Sequence, residues 1–173
     1  MTLILIRILL GVLAVSCSSV TAQQAMMPKN QRPMVCFTPE EKCYPKIVQY
    51  IDAAQHTIYM RAYAFTSLEI ATALIRAHQR GVSVLVLADK GQMKGAHSLV
   101  NMLIDAGITV KREKCKGLAH NKVILIDNTI LITGCYNFTK GSESRNAENL
   151  LILKQRTLLK KYLHDWKIAW EKS

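Results

Sequence analysis

His120-Asn121-Lys122-Val123-Ile124-Leu125-Ile126-Asp127, followed by Gly134-Cys135-Tyr136-Asn137 and then Asn146-Ala147-Glu148-Asn149, is the stretch on which the fold turns. Read as a strand, positions 120, 122, 124 and 126 share one face, because alternate side chains of a strand point to the same side. His120 and Lys122 therefore point the same way at the strand's entrance, and an imidazole beside an ammonium suits an anionic group such as phosphate. The apolar run Val123 to Ile126 enters a core, Asp127 closes the strand and Asn128 starts a turn. Ile130-Leu131-Ile132-Thr133 is a second short apolar strand, so residues 122–133 read as a hairpin. The hairpin returns Asn137 towards His120, and His120, Lys122, Asn137 and Glu148 are expected to converge at one rim.

Outward from this hairpin, strands and helices alternate. Thr57 to Tyr63 is rich in β-formers and reads as a strand. Ser67 caps a helix to about Gln79, with Leu68, Ala71, Leu74 and Ile75 at helical spacing and Gly81 closing it. Val82 to Ala88 is a near-continuous apolar run, as expected of a strand buried on both faces. A helix from about His97 to Ala106 and a strand from Ile108 to Lys111 follow, and Asn137 to Arg145 is a loop or short helix. Leu150 to Leu153 reads as the last strand, and Gln155 to Trp170 as a helix with Leu159, Leu163, Trp166 and Trp170 on one side. Upstream, Thr38-Pro39-Glu40-Glu41 has the form of a capping box with proline at the first helical position. It predicts a helix from there to about Ala54, kinked by Pro45. This alternation predicts a single α/β domain over residues 37–173, with a mixed, mainly parallel central sheet and helices on both faces.

Residues 3–15 are almost wholly apolar, broken by Arg7 and Gly11. The run is shorter than the about 20 residues of a membrane span and has the form of a signal-peptide core. Val20-Thr21-Ala22 offers a cleavage site, so 1–22 reads as a signal peptide and 23–36 as a polar, proline-containing arm. Two alternatives stand: lipidation of Cys17 after Ala14-Val15-Ser16, or a leader retained as a membrane anchor. Five cysteines fit export to the bacterial periplasm or beyond. With Cys17 set aside, Cys36, Cys43, Cys115 and Cys135 allow three full pairings, and Cys36 and Cys43 are close enough to bridge locally. No Cys-x-x-Cys or paired-histidine spacing occurs, so no metal site is expected.

The formal net charge is +11, and +10 without the leader, whose single charge is Arg7. So basic a chain attracts polyanions: nucleic acid, anionic membrane or acidic polysaccharide. The segment from Lys111 to Gly117 delivers the chain to His120, and its cations Lys111, Arg112, Lys114 and Lys116 are candidates for contact with a substrate's phosphate backbone.

His120-x-Lys122 with Asp127, then Gly134-x-x-Asn137 and Glu148, resembles the signature of the phospholipase D superfamily, above all its small single-motif secreted bacterial endonucleases. The likeness runs from about Phe37 to Trp170. It implies a phospholipase D-like fold and a phosphodiester hydrolase that needs neither metal nor other cofactor. His120 is the candidate nucleophile, and its attack would give a phosphohistidine that water resolves. Lys122 would place positive charge, and Asn137 an amide donor, on the phosphoryl oxygens. Glu148 or Asp127 is a candidate to orient an imidazole; the resemblance gives that role to the Glu148 position and makes Asp127 more structural. The family usually has serine where this chain has Cys135, and a thiol is the weaker donor. Cys135 therefore holds phosphate less firmly than a serine, or, if paired with Cys115, braces the site.

Larger members of the family carry two copies of the motif in one chain, whereas this chain carries one. The resemblance therefore implies a homodimer with the site on the two-fold axis, one His120 attacking and the other protonating the leaving oxygen. The expected activity is sequence-nonspecific endonucleolytic cleavage of DNA, with RNA left open. A phospholipase acting on anionic lipid, tethered to a membrane if the leader stays or Cys17 is lipidated, is the alternative. A non-catalytic nucleic-acid-binding protein is the third expectation.

Overall fold

The computed structural model describes residues 32–173; the signal-peptide, cleavage-site and Cys17 expectations fall outside them. Residues 33–173 form one unit, in which seven strands make a single sheet. The strands are β1 (Met34–Thr38), β2 (Thr57–Ala62), β3 (Ser83–Ala88), β4 (Thr109–Arg112), β5 (Lys122–Ile126), β6 (Ile130–Gly134) and β7 (Glu148–Leu153). The helices are α1 (Tyr44–Asp52), α2 (Leu68–Gln79), α3 (Val100–Asp105), α4 (Lys140–Ser144) and α5 (Arg156–Lys172).

The sheet order is β1-β7-β6-β5-β2-β3-β4. Only β2 with β3 and β3 with β4 are parallel; the other four pairings are antiparallel. The sheet is therefore mixed but largely antiparallel, which corrects the mainly parallel expectation. Parallel neighbours need a crossover connection, and α2 and α3 supply the two here. Asp127 and Asn128, both at positive φ, make the tight β5–β6 turn, a conformation that Asp and Asn adopt more readily than most residues.

The helices do cover both faces. Ile58, Met60, Val84, Val86, Ile124, Ile126, Ile132 and Ile152 form one core with the buried sides of α1, α2 and α3. Ser67 caps α2 by accepting from the Ile70 N–H at 3.4 Å, as its position implies. On the opposite face Leu87, Val123, Leu125 and Leu131 pack under Leu159 and Trp166 of α5. Trp166 stacks on Tyr59 with centroids 4.5 Å apart and donates from Nε1 to the Met60 carbonyl at 3.3 Å. Arg61 on β2 is buried and forms ion pairs with Glu113 and with Asp165 of α5.

The start of the unit differs from the sequence reading. Met34–Thr38 is an edge strand paired with β7, so the arm ends at β1 and no helix begins at Thr38. Thr38 is not free to cap: it lies opposite Glu148 in the sheet, and its hydroxyl donates to the Asn146 carbonyl at 3.0 Å. The helix starts at Tyr44, and Pro45 sits in its first turn, where a missing N–H costs nothing, instead of kinking it. The cap comes from a distance. The buried Glu143 carboxylate accepts from the Cys43 and Tyr44 N–H groups at 3.0 and 3.1 Å and from the Tyr136 hydroxyl at 2.8 Å, placing negative charge at the positive end of α1. Burial, followed by this carboxylate, pushes the Tyr136 phenol well above its ordinary pKa. A Cys36–Cys43 disulfide ties β1 to the start of α1, while Cys115 and Cys135 are free and exposed.

Candidate active site

The antiparallel registers bring separated segments to one rim of the sheet. Lys122 pairs with Ala62, Gly134 with Leu150, and Glu148 with Thr38. The first residues of β5 and β7 therefore stand beside the last residues of β1, β2 and β6. Gly134 lies at φ 151°, and a Cβ there would overlap the Asn149 carbonyl oxygen. Only glycine lets β6 pass this close to β7 before the chain delivers Cys135 and Asn137.

His120 is exposed, just ahead of β5. Its imidazole lies against the Tyr63 ring, centroids 4.2 Å apart and planes at 56°. Lys122 is only 6% exposed. Its ammonium donates to the His120 carbonyl at 2.8 Å and sits 4.7 Å from the Tyr63 centroid. Burial lowers the Lys122 pKa, against the charges of Glu148 and Cys135, which favour the ammonium. Lys122 thus has Glu148 and Cys135 as electrostatic neighbours.

Glu148 accepts from Asn146 Nδ2 at 3.0 Å and from the Ser142 hydroxyl at 3.4 Å. Among the described residues it shares no hydrogen bond with His120, so its orienting role is not realised within this unit. Asn137 is half-buried after β6, with its side-chain oxygen buried and without a hydrogen-bond partner among the described residues. Cys135 Sγ accepts from the Asn149 N–H at 3.2 Å. Burial, then the neighbouring Glu148, raises its pKa, which disfavours the nucleophilic thiolate.

Asp127 does not belong to this rim. Five residues along the strand from Lys122, at about 3.3 Å each, place it at the far end of β5. There its carboxylate accepts from the N–H groups of Gln55, His56 and Thr57, each at 2.8 Å. Partial burial opposes its charge, but these donors hold its pKa below the usual carboxylate value. Asp127 anchors the entrance to β2, and its place among the catalytic candidates is withdrawn on that geometry.

The basic segment divides. Lys111 donates to the Trp170 carbonyl at 3.0 Å and lies 4.4 Å from the Trp170 ring centroid, so it fastens β4 to α5 rather than facing the rim. Arg112, Lys114 and Lys116 are exposed. Arg112 and Lys114 join Lys90 in lining a cavity of about 200 Å³. Its floor includes the buried Asp89, which accepts from the Ala119 N–H at 2.8 Å and so pins the residue before His120. Tyr63 and Asp89 are the neighbours that sequence reasoning missed. Both stand at ends of expected strands, but no local pattern says that Tyr63 meets His120 or that Asp89 meets Ala119. A groove of about 630 Å³ between α1 and α2 is lined by Tyr44, Val48, Leu68 and Arg76 among others and contains none of the rim residues. Among the described residues, no three His, Cys, Asp or Glu side chains are grouped to hold a metal ion.

Residues 47–170 match the family model described as "Cardiolipin synthase, PLD-like domain". A phospholipase D of Rickettsia felis is 45% identical over 131 residues, which are 76% of this chain and 66% of that protein. The mitochondrial cardiolipin hydrolase of Mus musculus is 29% identical over 158 residues, 91% of this chain and 72% of the relative. The crystal structure of Nuc from Salmonella typhimurium, a phospholipase D family member, superposes with a TM-score of 0.74 at 33% identity, covering 80% of this chain and 93% of Nuc. The rim on which His120, Lys122 and Glu148 stand is thus carried by a known fold, and the chain belongs to the PLD-like domain family of the phospholipase D superfamily.

Proposed function

We propose that this protein is a metal-independent, sequence-nonspecific endonuclease that cleaves phosphodiester bonds of DNA, and of RNA where it is presented, through a phosphohistidine. The observation that carries this reading is the exposed His120 imidazole beside the buried Lys122 ammonium, with the exposed cations Arg112, Lys114 and Lys116 leading to it. His120 forms a bond to phosphorus as the ester P–O bond breaks, and the leaving oxygen takes a proton. Water then attacks the phosphohistidine and releases the imidazole. Lys122 and Asn137 stabilise the charge that builds on the phosphoryl oxygens. One histidine cannot serve both sides of an in-line displacement, so a second copy of the chain supplies its own His120 as the acid. A site shared across a two-fold also gives Glu148, which has no bond to His120 within the unit, an imidazole to orient.

The likeness to Nuc supports the nuclease reading. The Rickettsia relative, named a phospholipase D, favours a second: hydrolysis of anionic phospholipid by the same chemistry. The Cys36–Cys43 disulfide supports residence in an oxidising compartment, the periplasm or the medium, after removal of residues 1–22.

The test is incubation of the purified chain in excess EDTA with plasmid DNA, single-stranded DNA, RNA and cardiolipin vesicles, beside His120→Ala. Cleavage of nucleic acid that survives chelation and disappears in the variant is the expected result. Lipid turnover without nucleic-acid cleavage would install the second reading, and loss of activity in EDTA would overturn the mechanism.

A further inference from the structure

We propose that Tyr63 is a positioning residue of this site, its ring holding the His120 imidazole and the Lys122 ammonium in one fixed arrangement. The inference rests on the phosphodiesterase reading above and adds a residue that the motif does not contain. Tyr63 follows the last residue of β2, and its N–H donates to the Asn121 carbonyl at 3.1 Å, so the middle residue of the His-x-Lys step is held to its own backbone. The ring then meets both side chains, His120 at 4.2 Å between centroids and the Lys122 nitrogen at 4.7 Å.

Each contact supplies what its partner lacks. His120 is exposed, and among the described residues Tyr63 is the ring that packs on its imidazole, so without it the side chain rotates in solvent. Lys122 carries a flexible four-carbon stem into a buried place. The groups that face its ammonium are the neutral His120 carbonyl, the Glu148 carboxylate, the Cys135 thiol and the Tyr63 ring. The negative face of an aromatic ring favours a cation above it and fixes where that cation sits. Among the described residues the Tyr63 hydroxyl takes part in no hydrogen bond, so the ring and not the phenol is the working part.

The experiment compares the full chain with Y63F and Y63L, using bis(p-nitrophenyl) phosphate as a substrate small enough to ignore nucleic-acid or lipid docking. Y63F is expected to keep the wild-type kcat. Y63L is expected to lose kcat on the order of 10- to 100-fold with KM little changed, the signature of misplaced reacting groups. Y63M, which has bulk without a ring face, stands in if Y63L does not fold. The His120 ring protons are followed by NMR in the same samples. They are expected at ring-current-shifted positions in wild type and Y63F and at ordinary positions in Y63L.

An undiminished kcat in Y63L, or a Y63F loss as deep as that of Y63L, overturns the proposal. If the wild type turns over no diester, the functional reading fails separately and the NMR comparison decides alone. A shift lost only when the ring is removed sustains the positioning role, and identical His120 shifts in all variants sink it.

Discussion

The Lys122 ammonium donates to the backbone carbonyl of His120 at 2.8 Å, so the site's cation is tied to the main chain that carries the candidate nucleophile and leaves the imidazole itself unencumbered. Burial lowers the Lys122 pKa, and the proposed mechanism needs its charged form. As pH rises through that lowered value the charge is lost, so the alkaline limb of kcat/KM is expected below the ordinary lysine value of about 10.4. A guanidinium does not deprotonate in this range, so Lys122→Arg, at whatever residual rate its shape permits, is expected to show no such limb. A pH–rate profile of the two proteins checks this.

Replacing Cys135 by serine restores the hydroxyl that the family usually places there. A hydroxyl is a better hydrogen-bond donor than a thiol, and a gain of about 0.5–1.5 kcal/mol in one hydrogen bond corresponds to roughly 2- to 10-fold in rate. Cys135→Ser is therefore expected to raise kcat by that factor, and an unchanged or lower kcat would show that the thiol is not holding the phosphoryl group.

Asp127 accepts from three backbone N–H groups at the start of β2, and Asp127→Ala leaves them without that partner. The expected cost is about 1–3 kcal/mol in unfolding free energy, with hydrolysis by the folded fraction unchanged. The folded-state pKa lies below the ordinary carboxylate value. The stabilisation is therefore fully present above an ordinary pKa of about 3.9 and disappears as pH falls through the lowered folded value. Denaturant titrations of wild type and variant at neutral and acid pH are expected to converge only at the acid end.

Arg112, Lys114 and Lys116 are exposed, whereas Lys111 is bound to Trp170. The triple alanine variant of the exposed three is expected to flatten the dependence of log K for DNA on log salt by about 0.9 per lost phosphate contact. Lys111→Ala is expected instead to lower the melting temperature and leave the salt slope alone. A slope that responds to Lys111 and ignores the other three would reverse the assignment.

Much of the fold was legible because its signals are local. The apolar run of β3, the Ser67 cap of α2 and the short β5–β6 turn each declare themselves within a few residues. What was not legible depends on distant partners. Met34–Thr38 becomes a strand only because β7, more than a hundred residues later, pairs with it. The start of α1 depends on Glu143, whose carboxylate reaches it from α4. Strand direction is likewise absent from hydropathy, which is why the sheet was expected to be mainly parallel. At the site, His120 and Lys122 are adjacent by period-two geometry alone. Tyr63 reaches both, and Asp89 the Ala119 N–H just before them, through sheet order, and Lys111 is drawn away by an aromatic ring at the other end of the chain.

Gly134 sets the spacing between the segment that bears Cys135 and Asn137 and the strand that bears Glu148, because any larger residue would run into the Asn149 carbonyl. This position therefore works as a gauge block for the active centre, and it constrains how the gene can vary. Gly117, in the basic loop, has open space where a side chain would go. A saturation library selected for function should return a single codon family at position 134 and a broad spectrum at 117. The narrowest bottleneck to sequence drift near the chemistry would then be a residue with no side chain and no chemical role of its own.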